Sequence, residues 1–136
     1  MDDDETPQNP AQDVSDANLL YYNAFERQDL ELMSQVWEHS ERATCTHPGW
    51  PTIHGSHTIL ESYASIFRGP QSLQVILTNE HIMVEGDFAY VSVDENLVDQ
   101  DGNASATAGL NVFVLGEDHR WHMIVHHGSP IVRREG

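Results

Sequence analysis

Apolar residues recur at helical spacing in three early stretches of the chain and at strand spacing in four later ones. Ala17, Leu20, Tyr21, Ala24 and Phe25 share one side of a first helix, and Ser15 or Asp16 can cap its start. The pattern breaks near Gln28. Asp29 can then cap a short second helix whose face carries Leu32, Met33, Val36 and Trp37. A strand at about 43–46 leads into the turn-rich loop His47-Pro48-Gly49-Trp50-Pro51. Ser56 can cap a third helix striped by Ile59, Leu60, Tyr63, Ile66 and Phe67. Arg68-Gly69-Pro70 ends it, since glycine suits a left-handed C-terminal position and proline cannot continue a helix. Strands are predicted at 73–85, 88–98, 105–115 and 120–127, joined by turns rich in Gly, Asp and Asn. Short turns between successive strands imply an antiparallel meander. Helices followed by a run of strands is the α+β pattern.

Composition bounds this picture. The 136 residues fit one domain, placed at 15–131. Residues 1–14 are polar and acidic, carry Pro7 and Pro10, and are predicted to be a disordered tail; 132–136 form a short C-terminal tail. The single cysteine, Cys45, allows no intrachain disulfide, which fits a reducing compartment. The acidic start is unlike a signal peptide and no apolar run is long enough to span a bilayer, so the expectation is a cytoplasmic protein. The formal net charge is −16, with 22 acidic residues against six arginines and no lysine. That field repels nucleic acid and anionic membranes, so neither is expected as a partner. The acids are scattered beyond the tail, which reads as a solubilising surface of the kind suited to a high-salt, halophilic-type cytoplasm.

Several residues fall in an ordered series. Trp37 closes the second helix, His47-Pro48-Gly49-Trp50 follows the first strand, Gly55 precedes the third helix, and Ile66-Phe67 ends it. The strands carry Ala89-Tyr90-Val91-Ser92-Val93-Asp94-Glu95-Asn96, then Asn111-Val112-Phe113, then the run from Arg120-Trp121-His122 through His126-His127-Gly128-Ser129-Pro130. Over about residues 15–130 this series resembles the SnoaL-like branch (type 3) of the NTF2-like superfamily. The resemblance implies a cone of three helices packed in a curved antiparallel sheet, a pocket at the open end for a small-molecule ligand, and a homodimer paired through its sheets. Relatives of this kind include cyclases, isomerases, hydrolases and non-catalytic binders, so the fold leaves the chemistry open. The acid base and the tyrosine-plus-acid oxyanion hole of the ketosteroid isomerases find no residue-by-residue match here.

Glu95 is the first candidate for chemistry. With Val91, Val93 and Leu97 it occupies the apolar face of its strand, where desolvation raises a carboxyl pKa and suits it to general acid–base work. A carboxylate paired at a cavity rim is the plainer alternative. In the last strand Trp121, Met123, Val125 and His127 share one face, and His122, Ile124 and His126 the other. The apolar set with Trp121 is taken as inward, which places His127 near the cavity and His126 outside; a bulge would reverse this. His47 sits in a stiff loop with Trp50, a candidate pocket wall. Asn111 lies on a strand face with Thr107 and Phe113 and is a candidate to hydrogen-bond a ligand. Tyr22, Trp37, Tyr63 and His126 complete the candidate ligand-binding set, although aromatic residues at helical spacing more often fill a core.

No phosphate loop, dinucleotide fingerprint or nucleophile elbow occurs, and no cofactor is expected. Three functions are carried forward. One is an acid–base isomerase, cyclase or hydrolase using Glu95 and His127. The second is a non-catalytic binder or dimeric scaffold. The third is a metal-dependent version with His47, His54, His127 and Glu95 as ligands, although their spacing matches no short zinc motif.

Overall fold

The first helix starts earlier than its large apolar residues predict. In the computed structural model, which describes residues 9–132, α1 runs Pro10–Arg27. Asn9 caps it, its side chain accepting from the Gln12 N–H at 3.2 Å. Pro10 stands in the first turn, where its missing N–H leaves no bond unmade and its fixed φ favours the helix. Residues 10–14 are therefore helical rather than disordered, and Val14 is fully buried. The remainder of the two expected tails, 1–8 and 133–136, lies outside the described residues.

Gln28 ends α1 in the left-handed conformation, and Asp29 caps α2 (Leu30–Val36) by accepting from the Leu32 N–H at 3.0 Å. α3 spans Ser56–Phe67. Ser56, expected as its cap, is its first residue; Gly55 takes the cap position at a φ of 89°, which glycine adopts without strain.

Six strands follow in chain order as β1 (Thr44–Thr46), β2 (Ile53–His54), β3 (Leu73–Glu85), β4 (Phe88–Asp99), β5 (Ala104–Leu115) and β6 (Trp121–Pro130). They form one open sheet in the order β2-β1-β6-β5-β4-β3. β3 to β6 make the antiparallel meander, but β1 pairs with β6 in parallel, so the sheet is mixed rather than wholly antiparallel. At two residues, β2 is too short to show alternation in sequence. The parallel pairing places a loop: Thr46 lies opposite His127, so the His47 loop leaves the sheet beside β6.

The helices lie on the inner face of this α+β cone. Trp37, Tyr63, Phe113, Met33, Ile59 and Met123 are fully buried between the two layers. Each large apolar side chain so placed contributes about 1.5–3 kcal/mol relative to exposure.

The pairing of β5 with β6 carries one irregularity. Val112 opposes Val125, but Phe113 opposes Met123, so Ile124 is an extra residue on β6. That bulge shifts the alternation, and Met123, His126 and Gly128 are the buried positions.

Candidate functional site

Along β4 the buried positions are Ala89, Val91, Val93 and Glu95, an unbroken period of two. Glu95 is thereby carried onto the inner face, only 6% exposed. The Tyr22 hydroxyl on α1 donates to Glu95 Oε2 at 2.5 Å. Burial pushes the Glu95 carboxyl up to about 7, against the smaller lowering by the Tyr22 hydrogen bond. The carboxylate fits because β5 carries Gly109 there: a Cβ at that position would lie 2.6 Å from Glu95 Oε2.

Tyr22 connects Glu95 to a second buried group. The Asn111 amide nitrogen donates to the Tyr22 hydroxyl at 3.0 Å and to Asn18 Oδ1 at 2.8 Å. Asn111 Oδ1 meets His126 Nδ1 at 2.6 Å. Asn18 in turn donates to Glu80 Oε2 at 3.3 Å. Burial, reinforced by His47 and His127, drives the His126 pKa down to about 3, so its ring is neutral. Its ring lies against Tyr21, centroids 4.9 Å apart.

A cavity of about 350 Å³ opens beside this network, lined by Tyr22, His47, Trp50, Glu95 and His126. Phe25, Ile66, Leu73, Val75 and Leu97 give it apolar walls. His47 packs edge-on against Trp50 and Tyr63 at 4.7 and 4.8 Å, and its Nε2 meets Ser62 Oγ at 2.8 Å. Burial holds the His47 pKa down to about 4. The arrangement is a small, partly open volume with one carboxyl that titrates near neutrality and two neutral imidazoles. Such a set can move a proton and orient a polar group of a bound molecule.

Five residues expected at the pocket line this one cavity: Tyr22, His47, Trp50, Glu95 and His126. Asn111 stands behind the wall, fully buried, and is hydrogen-bonded to Tyr22 and His126. Tyr63 is core, hydrogen-bonded to Tyr21. Trp37 is also core, bordering a separate groove of about 490 Å³ between α2 and the β5–β6 turn. His127 is exposed, which reverses its expected inward placement; the Ile124 bulge is the reason. The four expected metal ligands are not gathered: His54 and His127 are exposed, and among the described residues no group of three or more His, Cys, Asp or Glu side chains could hold a metal ion. Cys45 is buried, and burial pushes its thiol up to about 12.

Sequence reasoning missed Asn18, Ser62 and Gly109. Asn18 carried a usable signal, since a polar residue four before Tyr22 stands on the apolar side of α1. Ser62 likewise interrupts the apolar stripe of α3 one residue before Tyr63. Gly109 carried none, because its role is room for a side chain on the neighbouring strand.

Comparison with known proteins agrees with this architecture. The family model described as the SnoaL-like domain matches residues 14–133. A structure from Streptomyces avermitilis, a candidate dehydratase of the NTF2-like family, is 32% identical, with a TM-score of 0.83, 91% of this chain and 97% of that chain being covered. A candidate association domain of calcium/calmodulin-dependent protein kinase type II from Thiobacillus denitrificans is 30% identical, with a TM-score of 0.76 and coverage of 87% and 94%. A ketosteroid isomerase-like protein from Erwinia carotovora atroseptica shares the fold at 17% identity, with a TM-score of 0.75 and coverage of 93% and 100%. No curated protein matches the chain.

Proposed function

This chain belongs to the SnoaL-like domain family of NTF2-like proteins, and on that premise we propose that it is a pocket enzyme moving protons on a small molecule, with Glu95 as its acid–base group. The observation that carries the reading is the carboxyl of Glu95 in the cavity wall, raised to about 7 by burial and held through one oxygen by Tyr22. A group that titrates near the working pH is both a competent base and a competent acid. The other oxygen, Oε1, has no hydrogen-bond partner among the described residues and is left for the substrate.

The relative named as a candidate dehydratase supports elimination of water as the reaction class. In that step the Glu95 carboxylate takes a proton from carbon. The C–H electron pair becomes the double bond, the C–O pair leaves with the hydroxyl, and the same carboxyl returns its proton to release water. His126 takes the place expected for His127. It is neutral at any ordinary pH, so its part is to accept a hydrogen bond and orient the substrate rather than to donate a proton.

Carbon-detected NMR titration of the Glu95 carboxyl should give a midpoint near 7, and Glu95→Gln should cut turnover by about 10²–10⁴-fold while binding persists. A midpoint at the ordinary 4.5 ends this reading.

A second reading, assembly of copies through the sheet, is favoured by one observation: Ile76, Met83, Phe88 and Leu110 are all exposed on the outer face of β3, β4 and β5. The relative named as an association domain supports it. Sedimentation velocity should show a dimer that Leu110→Asp weakens; a monomer at every concentration removes this reading.

A further inference from the structure

We propose that the cavity selects a small uncharged alcohol, gripping its substrate through the substrate's own hydrogen-bond donors. This names the substrate class of the acid–base site and rests on that reading. Two carboxylates fix the direction of each hydrogen bond inward from them, since an ionised carboxylate accepts and cannot donate.

The first end is Glu80. Its Oε2 meets the side-chain amide of Asn18 at 3.3 Å, so the Asn18 NH₂ faces Glu80 and its Oδ1 faces inward. The second end is Glu95. Its Oε2 takes the Tyr22 phenol proton, which leaves the phenol oxygen as an acceptor on its other side. Asn111 therefore confronts two acceptors, Asn18 Oδ1 at 2.8 Å and the Tyr22 oxygen at 3.0 Å. Only its NH₂ can satisfy both, so its Oδ1 is turned to His126. That carbonyl oxygen can only accept, and at 2.6 Å it requires the proton on His126 Nδ1. The network thus assigns both the amide orientation and the tautomer. His126 Nε2 is left as a bare lone pair.

His47 reaches the same condition from a different anchor. Ser62 Oγ donates to the Ile59 carbonyl at 2.6 Å, which spends its only proton. The 2.8 Å contact from His47 Nε2 to Ser62 Oγ must then carry the His47 proton, so Nδ1 is unprotonated.

The cavity wall thus offers Glu95 Oε1 and His126 Nε2, while the remaining His47 nitrogen is an acceptor with the Cys45 thiol 3.9 Å away. Neither Oε1 nor His126 Nε2 has a partner among the described residues, and neither is among their enclosed unpaired polar atoms. No arginine lines the cavity, so an anionic substrate finds no counter-charge. The desolvation that keeps both imidazoles neutral also opposes a buried ammonium. Side-chain N–H groups not already used are those of Trp50 and Gln71, both exposed at the mouth. With Glu95 ionised, a ketone or ether entering this space displaces water from the acceptors and gives nothing back; a hydroxyl does.

The test uses three compounds of one shape: 2-naphthylmethanol, its methyl ether and 2-naphthaldehyde. Each is titrated by NMR into the full chain at about pH 8.5, where Glu95 is ionised, following the Trp50 indole and the His47 and His126 rings. The alcohol should bind at least about tenfold more tightly than either acceptor-only analogue. Glu95→Gln places an amide NH₂ where Oε1 stood, and should shrink that ratio to below about threefold. Equal affinities in the unaltered protein, with the Trp50 signal still shifting, would overturn the donor preference and leave the pocket enzyme standing. No binding by any of the three would overturn both.

Discussion

β4 and β6 both bring one titratable group to the cavity wall, by opposite means. β4 keeps a strict alternation over its buried half, so Ala89, Val91, Val93 and Glu95 point inward in step. β6 breaks step at Ile124, and that one inserted residue turns His126 inward and His127 out. On β4 the candidate side chain, Glu95, is an extension of the core pattern. On β6 it depends on a defect in that pattern, and on the neighbouring strand that accommodates it. The lesson is that a bulge beside a pocket decides which of two adjacent identical residues faces it.

Mutating the two histidines breaks this comparison most directly. His126→Ala removes the partner of Asn111 Oδ1 and leaves a void against Tyr21 at a buried position. A loss of about 3–4 kcal/mol is expected from the unpaired acceptor and the void together. His127→Ala, at an exposed position, should change stability by less than about 0.5 kcal/mol. Chemical denaturation of the two variants measures both; equal losses would mean that the bulge does not place the histidines as described.

The same contrast explains what could be read from the sequence. The α+β order, the meander and the inward face of β4 follow from local periodicity, and Glu95 with them. Tyr22, His47 and Trp50 were legible as aromatic or turn-bound residues near an opening. The choice of His126 was not, because the bulge arises from pairing β6 with β5. Nor was the amide relay, whose members Asn18, Glu80 and Asn111 meet across separations of 62 and 93 residues. The helical start was obscured differently: Pro10 reads as a breaker unless Asn9 is recognised as the cap before it.

The electrostatics of the two strands have opposite signs, which a pH series sharpens. Glu95 has its folded pKa raised from 4.5 to about 7, so the folded state holds its proton where the unfolded state has lost it. Its contribution to stability is complete below about pH 4.5 and drains away as pH rises through 7. His126 is lowered from 6.5 to about 3, so the folded state refuses a proton that the unfolded state takes. Its contribution is complete above about pH 6.5 and is lost as pH falls toward 3. The loss on raising the pH belongs to β4 and the loss on lowering it to β6, with His47 adding to the latter as its pKa falls to about 4. Glu95→Gln cannot ionise, so it removes the loss on raising the pH alone. Measured by urea unfolding between about pH 5 and pH 8, the variant should gain roughly 2–3 kcal/mol on the unaltered protein, while the acid limb keeps its shape. A constant gap across that range would mean that Glu95 ionises as freely in the fold as in water, and the strand with the regular pattern would then carry no strained charge at all.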